Sequence, residues 1–175
     1  MLEPTIRPST EADLPSIQAI YAEQVLHGTA TFELVAPNVA EMGRRRETVL
    51  ARGWPWLVLE VGGEVVGYAY ADEHNARAGY RFTVEDSIYL AVGARGQGLG
   101  RRLLAALIED CERRGARQML ARIGDSANLG SIRLHSSLGF EQVGLFHSLG
   151  WKFGEWRDVV CMQRELGPGG RRNPE

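Results

Sequence analysis

The sequence predicts a single α/β domain in which a mixed β-sheet carries α-helices on its faces. The chain of 175 residues is long enough for one domain with a buried core. Short strand-like runs alternate with longer segments whose apolar residues recur at helical spacing. A glycine-rich turn lies past mid-chain, between one such strand and one such helix. The predicted order is β-α-α-β-β-β-α-β-α-β-β, which fits a sheet covered by helices.

The first helix follows a short strand, Thr5–Pro8. Its start is open between two positions. Thr10 and Asp13 resemble a capping box, whereas Pro15 fits the first turn of a helix that Asp13 caps. The apolar residues that share one face of this helix are Leu14, Ile17, Ile20, Tyr21 and Val25.

A loop, a charged helix and a hairpin follow. The loop covers Gly28–Asn38 and the helix about Val39–Arg52. Trp56–Val61 and Glu64–Tyr70 read as two strands joined by the tight turn Gly62-Gly63, which predicts a β-hairpin.

The second half begins with the polar, basic loop Asp72–Arg81 and the strand Thr83–Val92. The glycine-rich turn Gly93–Gly100 leads into an amphipathic helix over Arg101–Arg114, and Gly115 fits the position just after a helix end.

Three further strands and a short helix complete the sheet. The strands are expected at Met119–Ile123, Phe140–His147 and Arg157–Arg164, and the helix at Asn128–Leu138. We expect residues 1–166 to form the domain. Residues 167–175 contain almost no apolar side chain and are expected to be a flexible C-terminal tail.

Composition excludes several classes of partner. The formal net charge is −2, so the chain lacks the basic excess that nucleic acid or an anionic membrane would attract. No apolar stretch approaches the length of a membrane span. The start, Met1-Leu2-Glu3-Pro4, predicts no signal peptide. Cys111 and Cys161 have no metal or redox spacing, and we expect two reduced core thiols in a cytoplasmic protein.

The turn Arg95-Gly96-Gln97-Gly98-Leu99-Gly100 has a pattern typical of anion binding. Its glycines let the backbone approach a ligand, and the next helix adds free N–H groups and the positive end of its dipole. Arg95, Arg101 and Arg102 add full charges. The pattern predicts a pyrophosphate site, although on the glycines alone an empty turn is an equal alternative.

Two common phosphate-binding turns do not fit this one. A P-loop has Gly-Lys followed by Ser or Thr, whereas Gly100 is followed by Arg101 and Arg102. A dinucleotide fingerprint has the order G-x-G-x-x-G in a βαβ unit near the chain start. Here Gly96, Gly98 and Gly100 occupy every second position past mid-chain.

The turn resembles the R-x-x-G-x-G turn of the GNAT N-acetyltransferase superfamily. The resemblance implies the GNAT fold, a central mixed and mostly antiparallel sheet with helices on both faces. It also implies that acetyl-CoA is the co-substrate, that the turn holds its pyrophosphate, and that the preceding strand splays from its neighbour to admit the pantetheine arm. The cofactor-binding residues that it implies here are Ile88, Tyr89, Leu90, Arg95, Gly96, Gln97, Gly98, Leu99, Gly100 and Arg101.

The segment Asn128–Phe140 resembles the second cofactor element of that superfamily. It implies that Asn128 and Ser131 contact the CoA arm, while a plain helix N-cap would also explain Asn128. Many members carry a tyrosine where this chain has His135, and that tyrosine is credited with protonating the departing thiolate. The resemblance therefore implies that this role falls to His135 or to water.

Five longer segments resemble the phosphinothricin acetyltransferase branch: Thr29–Glu33, Gly67–Ala71, Ala78–Tyr89, Ile123–Ser126 and Gly150–Val159. They are spread over most of the chain, from the first helix to the last strand. They imply acetylation of the α-amine of small amino acids such as phosphinothricin, methionine sulfoximine and methionine sulfone. They also imply a homodimer.

The chemistry needs a base, because an ammonium group cannot attack a thioester until it loses a proton. The resemblance implies that Glu85 takes this proton, directly or through a water. On the sequence alone, a solvated or ion-paired strand glutamate is the alternative. His135 is the second catalytic candidate, although a lone histidine on a short helix is usually structural.

The resemblance also implies a substrate pocket. Arginine side chains suit carboxylate, sulfone or phosphinate oxygens, and aromatic rings suit the pocket walls. A solvated basic loop is the alternative for the arginines. Some herbicide-inactivating members carry a lysine where this chain has Asn75, which leaves phosphinothricin itself open. The substrate-binding candidates are Phe32, Arg77, Tyr80, Arg81 and Glu85.

The segment Trp151-Lys152-Phe153-Gly154 admits two interpretations. It either shapes the mouth of the pocket, across a dimer interface, or packs as an ordinary strand with Lys152 in solvent.

Other functions also remain open. The acceptor could be a protein N-terminus or a lysine, or the chain could be an acyl-CoA sensor without catalysis. No serine or cysteine nucleophile with a base partner is visible, so an enzyme would act by direct attack in a ternary complex. No cluster of His, Cys, Asp and Glu indicates a metal.

Overall fold

In the computed structural model, which describes residues 3–174, seven strands form one sheet and four α-helices pack against it. The strands are β1 (Thr5–Pro8), β2 (Trp56–Val61), β3 (Glu64–Glu73), β4 (Thr83–Leu90), β5 (Gln118–Gly124), β6 (Glu141–Lys152) and β7 (Glu155–Glu165). The helices are α1 (Leu14–His27), α2 (Val39–Ala51), α3 (Leu99–Arg113) and α4 (Leu129–Ser137). Met1, Leu2 and Glu175, the outermost residues of the predicted domain and tail, lie outside the described residues.

The strand order across the sheet is β1-β2-β3-β4-β5-β7-β6. Strands β4 and β5 pair in parallel, and the other neighbouring pairs are antiparallel. This arrangement confirms the predicted mixed, mostly antiparallel sheet. The parallel pair arises because α3 forms the crossover between β4 and β5.

Helices cover both faces of the sheet. Leu103 of α3 packs beneath Gly67 of β3. Tyr68, the next residue along β3, points to the other face, where its ring stacks on Tyr89 of β4. Tyr21 of α1 meets Tyr89 edge-on, with ring centroids 5.1 Å apart. The two faces therefore carry separate packing layers, with α1 on one and α3 on the other.

Strands β4 and β5 separate part-way along their length. They pair only at Thr83–Glu85 with Gln118–Leu120. Beyond Glu85, β4 continues to Leu90 beside β3, and β5 continues beside β7. The sheet thus opens into a cleft between two strands whose unpaired edges face each other.

The structure settles the open start of the first helix. α1 begins at Leu14, with Pro15 in its first turn. The Thr10–Asp13 pair closes a preceding short 3-10 turn instead, where the backbone N–H of Thr10 donates to Asp13 Oδ2 at 2.7 Å.

The largest difference from the predicted elements lies in the last hairpin. β6 was expected to end at His147 but runs on to Lys152, and β7 begins at Glu155 rather than Arg157. The register of β6 with β7 is irregular between Phe146 and Gly150, and the pairing of the two strands resumes at Gly150. Phe153 and Gly154 both have positive φ and close a two-residue turn.

Within residues 3–174, no helix has the length and apolar character that crossing a membrane requires. Cys111 is buried in α3, Cys161 is half-buried in β7, and both are free thiols.

Candidate active site

The separation of β4 from β5 creates a cleft of about 430 Å³ that ends at the glycine-rich turn. Of the predicted cofactor residues, those that line it are Ile88, Tyr89, Leu90, Arg95, Gly96, Gly98, Gly100, Arg101, Asn128 and Ser131. Gln97 and Leu99 are not in this lining. Gln97 Nε2 donates to the Gly93 carbonyl at 2.7 Å, and Leu99 packs against the core. The structure thus gathers most of the predicted cofactor residues around one cavity.

The turn itself requires glycine at two positions. Gly96 and Gly98 have φ values of 73° and 76°, which lie in the left-handed region that favours glycine. Gly98 is also the residue from which α3 starts, and no side chain caps that end. The first N–H groups of α3 are therefore available to an anion, with the positive end of the helix dipole behind them.

Arginines flank the turn. The Arg95 guanidinium donates to the carbonyl of Leu90, at 3.3 and 3.4 Å, and so ties the turn to the end of β4. Arg101 lines the cleft from α3. Backbone N–H groups, a helix N-terminus and cationic side chains converge there, which is the chemistry that a pyrophosphate requires.

The opposite wall of the cleft is α4. Asn128 caps this helix by accepting the backbone N–H of Ser131 at 3.2 Å. The N-cap role foreseen for Asn128 is therefore present. Since Asn128 and Ser131 also line the cleft, a contact with the cofactor remains a prediction for both.

His135 lies at the base of α4 and is almost fully buried. Its Nδ1 lies 2.8 Å from the Ser131 carbonyl, and its Nε2 lies 3.1 Å from Asp86 Oδ2. The Ser131 carbonyl can only accept, so Nδ1 donates to it, and the Asp86 carboxylate favours a second proton on Nε2. Burial opposes this charge, but the Asp86 carboxylate and the Ser131 carbonyl outweigh it and raise the pKa of His135.

This geometry bears on the predicted role of His135. A donor to a thiolate needs an N–H that faces the cleft, and both N–H groups of His135 are held by other acceptors. The ring also contributes to a smaller cavity between β4 and β5, together with Asp86, Ser87 and Ser131. Sequence reasoning did not single out Asp86, because its partner is distant in sequence.

Glu85 is the last residue at which β4 pairs with β5. It therefore lies where the two strands begin to separate. Strand alternation points Glu85 to the sheet face that carries Tyr89 and α1, and points Asp86 to the opposite face. The two adjacent carboxylates therefore lie on opposite faces of the sheet. Asp86 lines the smaller cavity between β4 and β5, whereas Glu85 is in the lining of neither cavity.

Two side chains that sequence reasoning did not select lie beside the Glu85 carboxylate. Arg122 Nε donates to Glu85 Oε1 at 2.8 Å, and His74 Nδ1 lies 3.6 Å from Glu85 Oε2. That nitrogen of His74 is buried and has no hydrogen-bond partner. His74 was not selected because Asp72–Arg81 was predicted to be a loop. β3 in fact extends to Glu73, and this places His74 beside β4.

The predicted substrate loop is short and exposed. A 3-10 turn covers Ala78–Tyr80, and the Asn75 side chain accepts the backbone N–H of Arg77 at 3.0 Å. Arg77 and Tyr80 are exposed. Arg81 stacks on Phe82, with its guanidinium carbon 4.6 Å from the ring centroid.

Phe32 is held on the other side of the site. A Cβ at Gly124 would lie 3.4 Å from its Cε1, and a Cβ at Gly150 would overlap its ring. Phe32 thus packs between the end of β5 and the end of β6. The adjoining residue Ala30 lines both cavities.

The segment at the end of β6 follows neither interpretation in full. Lys152 was expected in solvent in the strand interpretation, but it is 1% exposed. It is buried because its ammonium group donates to the carbonyls of Gln24 and Thr31, at 3.2 and 2.8 Å. Trp151 and Phe153 are exposed rather than packed in a core.

Among the residues that the structure describes, no group of three or more His, Cys, Asp and Glu side chains is placed to hold a metal ion.

The sequence profile of the acetyltransferase (GNAT) domain matches residues 6–161. The chain is 50% identical over 171 residues to the phosphinothricin N-acetyltransferase of Alcaligenes faecalis, covering 98% of this chain and 87% of that one. It is 41% identical over 165 residues to the L-methionine sulfoximine/L-methionine sulfone acetyltransferase of Pseudomonas aeruginosa, covering 94% and 95% of the two chains.

A solved structure is equally similar. The phosphinothricin acetyltransferase of Sinorhizobium meliloti, crystallised in complex with AcCoA, superposes with a TM-score of 0.95 at 47% identity. The superposition covers 98% of this chain and 93% of that one. The similarity therefore includes the cleft and the strands and helices that form it.

Proposed function

The chain belongs to the GNAT acetyltransferase family, and we propose that it transfers an acetyl group from acetyl-CoA to the α-amine of a small amino acid. The observation that carries the proposal is the cleft that opens between β4 and β5 just beyond Glu85 and ends at the glycine-rich turn. A relative of this fold is described in complex with AcCoA, which fits a ligand along that cleft.

In this proposal the turn and α3 hold the pyrophosphate of acetyl-CoA. A Cβ at Gly96 or Gly98 would meet nothing within 4 Å, so the backbone there is open to an approaching ligand. The unpaired edge of β4 at Ile88–Leu90 offers N–H and C=O groups to the pantetheine arm. Asn128 and Ser131 contact the arm from α4.

The reaction is a direct displacement. The substrate ammonium gives one proton to Glu85, directly or through a water, and the neutral nitrogen then attacks the thioester carbon. The C–S bond breaks as the C–N bond forms, the acetylated nitrogen loses its second proton to water, and CoA leaves as a thiolate. We assign its protonation to water, because both N–H groups of His135 are engaged. His135 then acts as a pocket contact that holds α4 on β4.

The substrate class follows from the relatives. The relatives named above act on phosphinothricin or on methionine sulfoximine and methionine sulfone. All three carry an α-amine, a carboxylate and a tetrahedral group with oxygen or nitrogen substituents. We propose that Arg77 and Arg81 bind such oxygens, and that Tyr80 and Phe32 form the walls.

The test is release of CoA from acetyl-CoA with a panel of amines. We expect turnover of methionine sulfone, methionine sulfoximine or phosphinothricin, and a kcat/KM for a lysine peptide lower by at least about a hundredfold. Turnover of the peptide alone would replace the small substrate by a protein. Tight binding of acetyl-CoA without any turnover would indicate a sensor.

We also propose a homodimer, formed by the β6–β7 hairpin. β6 is the edge strand of the sheet and is 12 residues long, and such an edge attracts another chain unless it is covered. Its exposed side chains are unusually apolar, and Trp156, at 62% exposure, extends the patch onto β7. The exposed apolar residues of this hairpin are Val143, Leu145, Phe146, Leu149, Trp151, Phe153 and Trp156.

Sedimentation should therefore give twice the chain mass of 19.4 kDa. The double change Trp151→Glu and Trp156→Glu is expected to yield a monomer, because it buries two charges in the interface. Leu34 is exposed on the loop between α1 and α2. The variant Leu34→Glu is therefore the control, and it should remain dimeric. A wild-type chain that sediments at the monomer mass would contradict the proposal.

We assign the reaction to the cytoplasm. Cys111 and Cys161 are both free thiols, as is usual in a reducing compartment.

A further inference from the structure

The loop that carries Phe32 is fastened to the end of β6 by an unusual side chain. Lys152 is the one lysine of the chain, whereas its other 19 basic residues are arginines. It is also almost fully buried. A buried ammonium group is expensive unless its hydrogens are accepted, so its partners indicate what it is retained for.

One of those partners lies before the loop between α1 and α2, and the other lies within it. Lys152 Nζ donates to the carbonyl of Gln24, in the last turn of α1, and to the carbonyl of Thr31. Gln24 and Thr31 are seven residues apart, so one ammonium group joins the end of α1 to the loop that follows it. Ala30, which precedes Thr31, lines both cavities of the site.

Two residues before Lys152 along β6, Gly150 fixes the ring of Phe32. A Cβ there would overlap ring atoms Cδ2 and Cε2 of Phe32. Strand alternation points positions 150 and 152 to the same face. One face of this strand end therefore holds both the backbone of the loop and its aromatic side chain.

The far side of the loop is bound to α1 and α2. The hydroxyl of Tyr21 lies 2.9 Å from Thr31 Oγ1 and donates to Glu33 Oε1 at 2.8 Å. Burial raises the pKa of Tyr21 to about 12, so this hydroxyl keeps its proton. Arg45 of α2 pairs with Glu33 at 2.6 Å. Hydrogen bonds from Tyr21 and an ion pair with Arg45 thus hold the loop on the helix side, and Lys152 holds it on the sheet side.

We propose that Lys152 and Gly150 are specificity-determining positioning residues, which set where Ala30 and Phe32 stand against the amine substrate. The inference deepens the proposed function and rests on it. Lys152 does not touch the reacting atoms. It acts through the loop.

The test is Lys152→Met, which keeps the length of the side chain and removes its donors. We expect KM for the amine to rise by about tenfold to a hundredfold, since the pocket wall is displaced while the chemistry is intact. The Kd of acetyl-CoA should change less than KM for the amine, because the turn and α4 are untouched and Ala30 is one of many residues that line the cofactor cleft. Gly150→Ala should shift KM in the same direction by displacing Phe32.

Arg171→Met is the matched control, since it removes the same charge from an exposed site at the opposite end of the sheet. It should leave both constants unchanged. If Lys152→Met lowers Tm but leaves KM for the amine at the wild-type value, Lys152 is a stability residue and the proposal is wrong.

Hydrogen exchange provides a readout that needs no substrate. Amides of residues 29–33 should exchange faster in Lys152→Met than in the wild type, whereas amides of α3 should not change. If the wild type turns over no amine but residues 29–33 still exchange faster in Lys152→Met, the proposed function is wrong. The fastening of the loop by Lys152 would still hold. Unchanged exchange would refute the fastening itself.

Discussion

Replacing Glu85 with glutamine is expected to lower kcat/KM for the amine by about a hundredfold to ten-thousandfold, the usual contribution of a positioned base. The variant keeps the size of the side chain but cannot accept the proton of the ammonium. Glu85 stands where β4 leaves β5, so the loss should fall on the chemical step. The Kd of acetyl-CoA should not change. Stopped-flow or steady-state CoA release at several pH values measures the effect.

The same change also removes the ion pair with Arg122, and a second variant separates the two effects. Arg122 is more than half exposed, and an ion pair of this kind contributes little energy. Arg122→Gln should therefore retain most of kcat. Glu64→Gln, an exposed glutamate in β3, is a control for the loss of a carboxylate. A Glu85→Gln enzyme with wild-type kcat/KM would exclude Glu85 as the base.

The anion-binding turn of the cleft was predictable from sequence because its determinants are local. Gly96 and Gly98 are consecutive parts of one turn, and α3 has its apolar stripe in one continuous segment. The fold class follows from the same local periodicities. Such features depend on neighbours within a few residues, and the sequence displays those directly.

The remaining site residues depend on pairings between distant segments. Arg122 meets Glu85 through a parallel pair of strands, and Asp86 meets His135 across 49 residues. Nothing in the local pattern reports such a register. Lys152 is the clearest case, since a lone lysine next to a turn is normally solvated, and its burial results from carbonyls at positions 24 and 31.

Replacing Asp86 with alanine is expected to be the most destabilising single change at the site. It leaves the His135 ring buried without its counter-charge, and breaking a buried ion pair in this way typically costs about 3–5 kcal/mol. In a domain of this size the midpoint of thermal unfolding should fall by roughly 10 °C. Glu23→Ala is the control, because it breaks the exposed pair with His27, whose atoms are 3.9 Å apart, and should have little effect.

The pH dependence of this effect identifies its origin. Because the pKa of His135 is raised in the folded state, the pair stabilises the fold fully below about pH 6.5, the usual value for an unfolded histidine. That stabilisation is lost as the pH rises through the folded value. The wild-type free energy of unfolding should therefore decline over this window, measured by urea titration from about pH 5.5 to 9.

In Asp86→Ala the slope should disappear or change sign. Without the carboxylate, burial is the dominant influence on His135 and lowers the pKa of the ring below its unfolded value. The variant would then lose stability as the pH falls, and its deficit relative to wild type should be greatest in acid and smallest in alkali. A deficit that is the same at every pH would mean that Asp86 stabilises the fold by packing, and that the charge on His135 has no part in it.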